Sequence, residues 1–366
     1  MNMTIGVDAR HLNGAMHGTV RYTIKTMQHM VQSRRCRFVL LSNKPIVNPF
    51  ENKDAVSIHI DSAFSWMPGA VWLAFRAGHL LCTLNVDAFW GPLHALPLCG
   101  MSDIPRIVTI HDLAHLYYPE SMTWKNRIIH MVYFSRTVAK ATRIIAVSQT
   151  TRNALKKEFG PKVAAKTSVI YEGKSDLPPS SRSPLIKGDY LLCIGSVEPR
   201  KNIAGAVEAF RLLIQDYPRL RLVVAGGHGW KQASLYKSIE KRGLSEKVQF
   251  TGRCSDAELS NYIAHAKIFL FPSLYEGFGL PLLETLGQCP AVISDIPIFR
   301  ELGQHLSGLQ FADFQQPSLA AAVIRRVLKE TFAQKPEFAS SSAARLLSWG
   351  TCASRHEDLF MQPRLH

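Results

Sequence analysis

Two glutamates that lie eight positions apart, Glu276 and Glu284, are the residues of this sequence whose type and spacing best suit the chemistry of a bound ligand. They begin and end the segment EGFGLPLLE. The apolar run 268–272 precedes them and has the length of a buried strand, so the order predicts a strand, a glycine-containing turn and a helix start. A helix start presents backbone N–H groups and the positive end of the helix dipole, which together favour an anionic ligand.

The residues inside this segment predict how it would hold that ligand. Glycine lets the backbone approach a ligand closely, and we expect the backbone N–H groups of Phe278, Gly279 and Leu280 to point at it. Glu284 lies about one and a half turns into the predicted helix, where a carboxylate can accept paired hydroxyl hydrogen bonds. N–H groups for phosphates combined with carboxylates for sugar hydroxyls predict a nucleotide-sugar site. The alternative is that Glu276 only stabilises the helix dipole and Glu284 lies on an exposed face.

A second candidate segment, 195–202 with the sequence GSVEPRKN, follows a predicted strand and opens a predicted helix at 203–215. It begins at Gly195. Arg200 and Lys201 would face a ligand at that helix start, where two fixed cations beside backbone N–H groups neutralise a diphosphate. The alternative is a loop whose basic pair is solvated, as surface charges usually are. Because the segment lies in the same half of the chain as Glu276, we favour the diphosphate interpretation.

The first half of the chain offers two further candidates. His111 and Asp112 directly follow a predicted strand at 106–110, and open α/β sheets bind ligands at the carboxyl ends of their strands. A histidine that is simply hydrogen-bonded at the sheet edge, beside a capping aspartate, is the alternative. Gly18 opens the first predicted helix, after a polar loop that contains a further glycine.

Composition limits the class of protein. At 366 residues the chain predicts two domains, and 46% hydrophobic against 19% charged residues are typical of a globular protein. It contains no apolar run of about 18 residues, which predicts no transmembrane helix, and its first residues read as a strand and not as a secretory signal. The seven cysteines include no C-x-x-C pair. We therefore expect a reduced, cytoplasmic protein without a disulfide framework or zinc motif.

The net charge of +15 predicts an anionic partner: a nucleic acid, a membrane surface or a phosphorylated substrate. Residues 1–176 hold 21 Lys and Arg against 11 Asp and Glu, whereas the remaining residues hold 22 against 17. A predicted helix at 124–141 mixes basic and apolar residues, which favours an anionic membrane surface, although a core-facing helix with a solvated basic face has the same pattern. Its basic residues are Lys125, Arg127, Arg136 and Lys140.

Strands alternate with helices through both halves of the chain, which predicts parallel sheets covered by helices. The region 174–183, KSDLPPSSRS, interrupts this alternation because its prolines exclude a helix or strand through its centre. The pattern therefore predicts two α/β domains with a cleft between them.

The candidate segments resemble those of the family-4 retaining glycosyltransferases, which have the GT-B fold. EGFGLPLLE is similar to that family's E-x7-E signature and GSVEPRKN to its phosphate-binding segment. Four more segments are similar and occur in the family's order: VDARHLNGAMHGTVRY (7–22), TIHDLAHLYYPE (109–120), IIAVS (144–148) and SDIPIFREL (294–302). Six matches in order cover nearly the whole chain, which makes the resemblance specific.

The resemblance implies two Rossmann-like, doubly wound domains. Residues 1–177 would bind the acceptor, 178–186 would form the linker, 187–345 would bind the nucleotide sugar, and 346–366 would form a helix that returns to the first domain. Two positions depart from the family. Val20 stands where a glycine or alanine is usual. The run Gly287-Gln288-Cys289-Pro290 either lacks a residue or displaces a glycine, which leaves the end of the preceding helix open.

Residue roles also follow from the resemblance. Glu276 would bind hydroxyls of the reacting sugar, Glu284 the ribose hydroxyls, and His111 the donor sugar. Lys201 would hold the donor phosphates, with Arg200 in place of an arginine that often follows the family's glycine. The implied catalytic residues are His111, Glu276, Lys201 and Arg200, and the implied donor-binding residues are Gly18, Gly195, Arg200, Lys201, Glu276, Phe278, Gly279, Leu280 and Glu284.

The implied reaction is the retaining transfer of a hexose from a nucleotide diphosphate sugar, with no metal or other cofactor. The forms IHDL, PRKN and LYEGFGLPLLE most resemble bacterial mannosyltransferases of O-antigen and exopolysaccharide assembly. They favour GDP-mannose as donor, a polyprenyl-diphosphate-linked or saccharide acceptor, and a location at the cytoplasmic face of the inner membrane. UDP- or dTDP-sugar donors remain open, as do a polyanion-binding protein and a non-catalytic nucleotide-sugar binder. We expect no nucleic-acid partner, because no nucleic-acid motif occurs.

Overall fold

A computed structural model describes residues 3–13, 18–50, 54–100, 104–119, 124–227, 232–330 and 334–362. The chain forms two compact units. The first comprises Met1–Tyr117, Met122–Gly173 and Leu346–His366, and the second comprises Tyr118–Ser121 and Lys174–Arg345. The C-terminal segment therefore belongs to the same unit as the N-terminal strand.

The first unit is built on a seven-stranded parallel sheet with the order β3-β2-β1-β4-β5-β6-β7. The strands are β1 (Met3–Asp8), β2 (Cys36–Ser42), β3 (Val56–Ile60), β4 (Ala88–Gly91), β5 (Arg106–Ile110), β6 (Arg143–Ala146) and β7 (Thr167–Val169). Every residue of β4 and β6 is buried, as expected of a parallel sheet that is covered on both faces. The order of the strands changes direction between β1 and β4, which defines a switch point at the carboxyl edge of this sheet.

Helices cover the first sheet. They are α1 (Gly18–Ser33), α2 (Gly69–Trp72), α3 (Gly78–Thr83), α4 (Ala114–Tyr117), α5 (Trp124–Lys140), α6 (Gln149–Phe159) and α7 (Pro161–Ala165), with a π-helix at Leu73–Ala77. Ser148 caps α6 by accepting a hydrogen bond from the Thr151 N–H, as its type and position predict. Val20 is buried on α1, so this branched residue faces the core.

The C-terminal helix α15 (Trp349–Met361) packs against α1 in the first unit through a directed chain of buried hydrogen bonds. The Cys352 carbonyl can only accept, so His356 Nδ1 donates to it over 2.7 Å and His356 Nε2 accepts from the Tyr22 hydroxyl over 2.7 Å. Tyr22 in turn accepts from Thr109 Oγ1 over 3.0 Å, and Thr109 accepts from Trp90 Nε1 over 3.0 Å. These bonds satisfy buried polar groups on two helices and two strands without placing a charge among them.

The second unit contains a six-stranded parallel sheet with the order β10-β9-β8-β11-β12-β14, and a small antiparallel pair, β13-β15. The strands are β8 (Tyr190–Ile194), β9 (Arg221–Ala225), β10 (Val248–Gly252), β11 (Ile268–Phe271), β12 (Ala291–Ser294), β13 (Leu306–Ser307), β14 (Leu309–Ala312) and β15 (Glu337–Phe338). The switch point of this sheet lies between β8 and β11, where the order of the strands changes direction.

Helices also cover the second sheet. They are α8 (Ile203–Leu213), α9 (Gln232–Lys241), α10 (Asp256–His265), α11 (Leu280–Glu284), α12 (Pro297–Leu302), α13 (Pro317–Lys329) and α14 (Ser341–Leu346). The core between α8, α13 and the strands is apolar and includes Phe210, Leu270 and Ile324, none of which is exposed to solvent.

The predicted α/β class is confirmed: both units are parallel sheets with helices. Helix α8 ends at Leu213, two residues before its predicted end, because Ile214 and the residues after it form turns. Four strands were not predicted from the sequence: β7, β13, β14 and β15. Each has at most four residues and is only partly buried. None of the described helices is long and apolar enough to cross a membrane.

Candidate active site

The candidate site of the second unit lies at the carboxyl ends of β8 and β11, which are neighbouring strands of the sheet. The segment after β8 carries Arg200 and Lys201, and the segment after β11 carries Glu276. A backbone hydrogen bond of 2.8 Å from the Leu274 N–H to the Arg200 carbonyl joins the two segments. The site therefore occupies the switch point of the sheet, where open α/β sheets bind ligands.

Two backbone features fix the segment that carries the basic pair. Gly195 adopts φ 138°, which residues other than glycine rarely adopt. Its carbonyl lies so close to Gly226 that a Cβ atom at Gly226 would be 2.0 Å from the oxygen. A short 3-10 turn then leads to Asn202, which adopts φ 48° and caps α8 by accepting a 3.2 Å hydrogen bond from the Gly205 N–H. The basic pair thus sits on a turn held at both ends.

The guanidinium of Arg200 is held by the protein on several sides. Its Nη1 donates to the Tyr275 carbonyl and to Glu276 Oε2, each over 3.0 Å. Its Nη2 donates to Glu198 Oε1 over 2.9 Å. The side chain is 17% exposed, so the alternative of a solvated arginine is wrong. Arg200 is positioned to orient Glu276 and to contribute positive charge to the site.

Lys201 is the cation with hydrogen-bonding capacity to spare. Its Nζ donates to Glu276 Oε1 over 2.6 Å and lies 5.6 Å from the centre of the Phe271 ring. An ammonium has three N–H donors, and among the described residues Lys201 has this single hydrogen-bond partner. The side chain is 13% exposed, so the ammonium is enclosed and two of its donors remain for a ligand.

Glu276 is the anionic centre of the cluster. It is buried, and it also accepts a 2.6 Å hydrogen bond from the Ser273 hydroxyl. Burial alone would raise the pKa of the Glu276 carboxyl, but Lys201 and Arg200 outweigh it and hold the pKa below its usual range. Glu276 is therefore an ionised carboxylate at neutral pH, able to accept a hydrogen bond from a further hydroxyl group.

Helix α11 begins directly after this cluster. Gly279 is its N-cap, with φ 102°, and a Cβ atom there would lie 3.0 Å from the Phe299 ring. The helix ends at Glu284, so the displaced glycine at 287 lies in the turn beyond it and adopts φ 77°. Glu284 is 5% exposed, so the alternative of an exposed helix face is wrong. Phe278 and Leu280 flank Gly279 and are buried.

The first unit holds the other predicted site residues. His111 follows β5, as predicted, and is buried. Its Nε2 lies 2.9 Å from the Pro92 carbonyl oxygen and its Nδ1 lies 3.1 Å from Glu172 Oε1. Gly18 is the first residue of α1, and residues 14–17 of the adjoining loop lie outside the described part of the chain. The structure thus places Arg200, Lys201 and Glu276 together and His111 in a separate buried cluster.

Three residues of these clusters were missed in the sequence. Glu198 pairs with Arg200, Ser273 donates to Glu276, and Glu172 pairs with His111. Glu198 and Ser273 lie inside or beside the candidate segments, but nothing in the spacing names their partners. A carboxylate directly after the apolar run 169–171 was the available signal for Glu172, because this run continues from a short strand.

The chain is similar to known glycosyltransferases in both of its halves. Residues 181–344 match the family described as glycosyl transferases group 1, and residues 16–173 match glycosyltransferase family 4. O-antigen chain mannosyltransferase B of Escherichia coli is 26% identical over 68% of this chain and 68% of its own length. O-antigen chain mannosyltransferase RfbU of Salmonella typhimurium is 29% identical over 65% of this chain and 64% of its own length.

A third relative and a solved structure extend the comparison. GDP-mannose:cellobiosyl-diphosphopolyprenol alpha-mannosyltransferase of Xanthomonas campestris is 28% identical over 63% of this chain and 59% of its own length. HepE of Anabaena, solved in complex with UDP and glucose, has the same fold, with a TM-score of 0.72 and 16% identity over 99% of this chain and 100% of HepE. Together with the two family matches, these similarities show that the chain belongs to the family-4 glycosyltransferases of the GT-B fold.

Proposed function

We propose that this glycosyltransferase transfers a hexose, with retention of configuration, from a nucleotide diphosphate sugar to a lipid-linked or polysaccharide acceptor in the assembly of a bacterial surface polysaccharide. The observation that carries the proposal is the cluster of Lys201, Arg200 and Glu276 at the switch point of the second sheet. It combines two cations for a diphosphate with an ionised carboxylate for sugar hydroxyls.

In this proposal the cations act on the leaving group. Negative charge grows on the nucleoside diphosphate as the glycosidic bond breaks, and a preorganised ammonium stabilises that charge. Lys201 supplies it through its remaining N–H donors, while Arg200 keeps Glu276 in place. Phe278, Gly279 and Leu280 would add backbone N–H groups, and Gly195 would let the phosphates approach. Because protein cations neutralise the diphosphate, we propose that no metal or other cofactor is required.

Other residues would complete the donor site. Glu284 would bind the ribose hydroxyls, and its burial supports a role inside the protein. His111 would contact the donor sugar, and Gly18 would lie beside the donor phosphates. We favour mannose from GDP-mannose, because the names of three relatives specify mannosyl transfer and one of them specifies GDP-mannose. UDP-sugars remain the main alternative, since HepE was solved with UDP and glucose.

For the acceptor we propose a polyprenyl-diphosphate-linked or saccharide substrate that is met at an anionic membrane surface from the cytoplasm. Trp66 and Phe75 of the first unit are 75% and 55% exposed, and aromatic rings, tryptophan above all, favour the interface of a membrane with water. On α5, Met131 and Val132 are exposed near Arg136 and Lys140. The side chains of Lys125 and Arg127 lie outside the described residues.

The membrane proposal is tested by sedimentation with vesicles. We expect binding to anionic phosphatidylglycerol vesicles, weaker binding to phosphatidylcholine, and loss of binding in the variant Trp66→Ala/Phe75→Ala. Leu319→Ala is the matched control, because Leu319 is 52% exposed on the second unit. Equal sedimentation of both variants and the wild type would contradict the proposal.

The enzymatic proposal is tested by donor-dependent turnover in the presence of EDTA. The donors are GDP-mannose, UDP-glucose, UDP-N-acetylglucosamine and dTDP-rhamnose, and the released nucleoside diphosphate is measured with and without a polyprenyl-diphosphate saccharide. We expect release from GDP-mannose that is unaffected by EDTA and abolished in Glu276→Ala. Glu246→Ala, which changes an exposed glutamate of the same unit, is the control.

The remaining hypotheses predict different results. A non-catalytic binder would be thermally stabilised by GDP or UDP without turnover, because a ligand that binds only the folded state stabilises it. A polyanion-binding protein would bind DNA with a steep salt dependence and would not respond to nucleotides. Release from a UDP- or dTDP-sugar alone would overturn the assignment of GDP-mannose and retain the enzyme class.

A further inference from the structure

His111 is held on both edges of its ring inside the first unit. The Pro92 carbonyl oxygen, 2.9 Å from Nε2, can only accept a hydrogen bond. Nε2 therefore carries a proton, and the hydrogen bond made by the other nitrogen decides the state of the ring. That other nitrogen, Nδ1, faces Glu172 Oε1 at 3.1 Å.

A proton must also lie between Nδ1 and Oε1, because two lone pairs at hydrogen-bonding distance would repel each other. The pair is then either an imidazolium with a carboxylate or a neutral imidazole with a carboxylic acid. Both forms contain the same atoms and protons, and both have a net charge of zero. In both forms neither ring nitrogen has a lone pair available to take a proton from a substrate.

Glu172 is an unusual residue to find at this position. It is 3% exposed, and its second oxygen, Oε2, has no hydrogen-bond partner among the described residues. A buried carboxylate with an unsatisfied oxygen costs stability. The contact with His111 therefore requires an explanation other than stability, and control of the ring protons supplies one.

The groups packed around His111 do not offer an alternative proton acceptor. His94 stacks on it with ring centres 5.3 Å apart, and its Nε2 accepts the His111 backbone N–H over 3.2 Å. Tyr22 meets the ring edge to face at 4.7 Å and donates its proton to His356. Asp112, the adjacent carboxylate, accepts a 2.9 Å hydrogen bond from the Ala114 N–H. Glu172 is thus the carboxylate aimed at the His111 ring.

We propose that Glu172 is a positioning residue for His111: it shares a proton with Nδ1 while the Pro92 carbonyl orients Nε2. Both ring nitrogens of His111 are then engaged within the first unit, and the ring cannot act as a general base. This assignment rests on the proposed function only in that the donor sugar is the ligand expected beside His111. A ring without a free lone pair agrees with a transfer in which the leaving phosphate, and not a histidine, takes the proton of the acceptor hydroxyl.

The first test reads the ring nitrogens directly. In protein with ¹⁵N-labelled histidine at pH 7, we expect His111 Nδ1 to show the shift of a protonated or proton-sharing nitrogen, with His111→Gln identifying the signal. In Glu172→Gln the amide N–H can donate to Nδ1, so the Nδ1 signal should move to that of an unprotonated nitrogen. An unprotonated Nδ1 in the wild type overturns the proposal, even if the variant fails to fold.

The second test measures turnover. We expect Glu172→Gln to lower donor turnover about 10-fold, mainly in kcat, in line with residues that orient a functional histidine. Glu158→Gln, which changes an exposed carboxylate of the same unit, should leave turnover unchanged. A Glu172→Gln variant with wild-type turnover overturns the proposal. A protonated Nδ1 in a protein without transferase activity would instead contradict the proposed function and retain the role of Glu172.

Discussion

Two networks of buried polar groups, one in each unit, differ in charge. In the first unit Trp90, Thr109, Tyr22 and His356 form a chain of neutral hydrogen bonds that connects α15 to the sheet. In the second unit a buried carboxylate, Glu276, is paired with two cations. A neutral chain is fully satisfied and rigidifies the protein, whereas a charged cluster retains strong donors and acceptors for a ligand. The comparison indicates that the first network stabilises the fold and that the second binds a ligand.

The pKa values distinguish buried histidines of the first unit from the charged cluster of the second. Burial lowers the pKa of His11 to about 4, of His94 to about 3 and of His356 to about 4, so these side chains of the first unit are neutral. In the second unit, burial would raise the pKa of Glu276, but Lys201 and Arg200 lower it. Both shifts keep each side chain in the form that its hydrogen bonds require.

The largest expected effect comes from removing the ammonium of the charged cluster. Lys201→Ala should reduce donor turnover about 10²- to 10³-fold, because a preorganised donor to the developing charge is lost. The measurement is nucleoside diphosphate release, compared with Lys187→Ala, which changes an exposed lysine of the same unit. Less than a tenfold loss would show that the cluster does not stabilise the leaving group.

The next largest effect is expected from acid, which should destabilise the first unit at a higher pH than the second. Histidines with a lowered pKa in the folded state oppose folding as pH falls, because the unfolded chain takes up protons near the usual value of 6.5. The first unit should therefore lose on the order of 2 kcal/mol or more between pH 6.5 and about 4. The pKa of Glu276 is also lowered, but from a usual value near 4.5, so its stabilisation is present at neutral pH and is lost only below the usual glutamate range.

Hydrogen exchange measured separately for peptides of each unit at pH 7, 5.5 and 4.5 checks this order. We expect peptides of β1 and α15 to lose protection before peptides of β8 and β11. His356→Leu should weaken the pH dependence of the first unit, since it removes one of the titrating groups. Simultaneous loss of protection in both units would contradict the contrast between them.

Breaking the neutral chain should cost stability and leave the chemistry of the second unit intact. Tyr22→Phe removes the donor to His356 Nε2 and leaves a buried nitrogen unsatisfied, at a cost of about 1–3 kcal/mol. The free energy of unfolding of Tyr22→Phe, His356→Leu and the double variant forms a cycle, and we expect the double variant to cost less than the sum. Additive costs would mean that the hydrogen bonds of Tyr22 and His356 stabilise the protein independently of each other.

The smallest effect is expected at the edge of the charged cluster. Ser273→Ala removes one of the hydrogen bonds to Glu276 and keeps both cations, so it should cost about 1 kcal/mol of stability and reduce turnover only a fewfold. Ser273→Thr, which retains the hydroxyl, is the matched control. A loss of turnover as large as that of Lys201→Ala would assign the serine a direct role in the reaction.

Much of the fold followed from local patterns. The strand 106–110 was predicted with its observed bounds because its apolar residues stand out from polar flanks. The π-helix Leu73–Ala77 and its flanking helices were missed, since their long apolar run has no clear period. The strand β7 was missed because three residues, two of them only partly buried, give little signal.

The candidate site was predictable only in part. Glu276, Arg200 and Lys201 stand in segments whose order and residue types are specific, so they were identified before any distance was known. The exposed-face alternative for Glu284 is wrong because α11 has only five residues, and four of them, including Glu284, are buried. Glu172 lies 61 positions from His111, and no local pattern predicts a contact over that distance.

The sequence by itself determined the alternation of strands and helices, the division into two α/β units and the residue types of the cluster around Glu276, because periodicity and motif spacing act over a few neighbouring residues. Tertiary structure alone decided which charges meet. It placed Lys201 and Arg200 on Glu276, and Glu172 on His111. The physical reason is that hydrogen bonds and ion pairs depend on distances of about 3 Å, and the packing of strands and helices that are remote in sequence sets those distances.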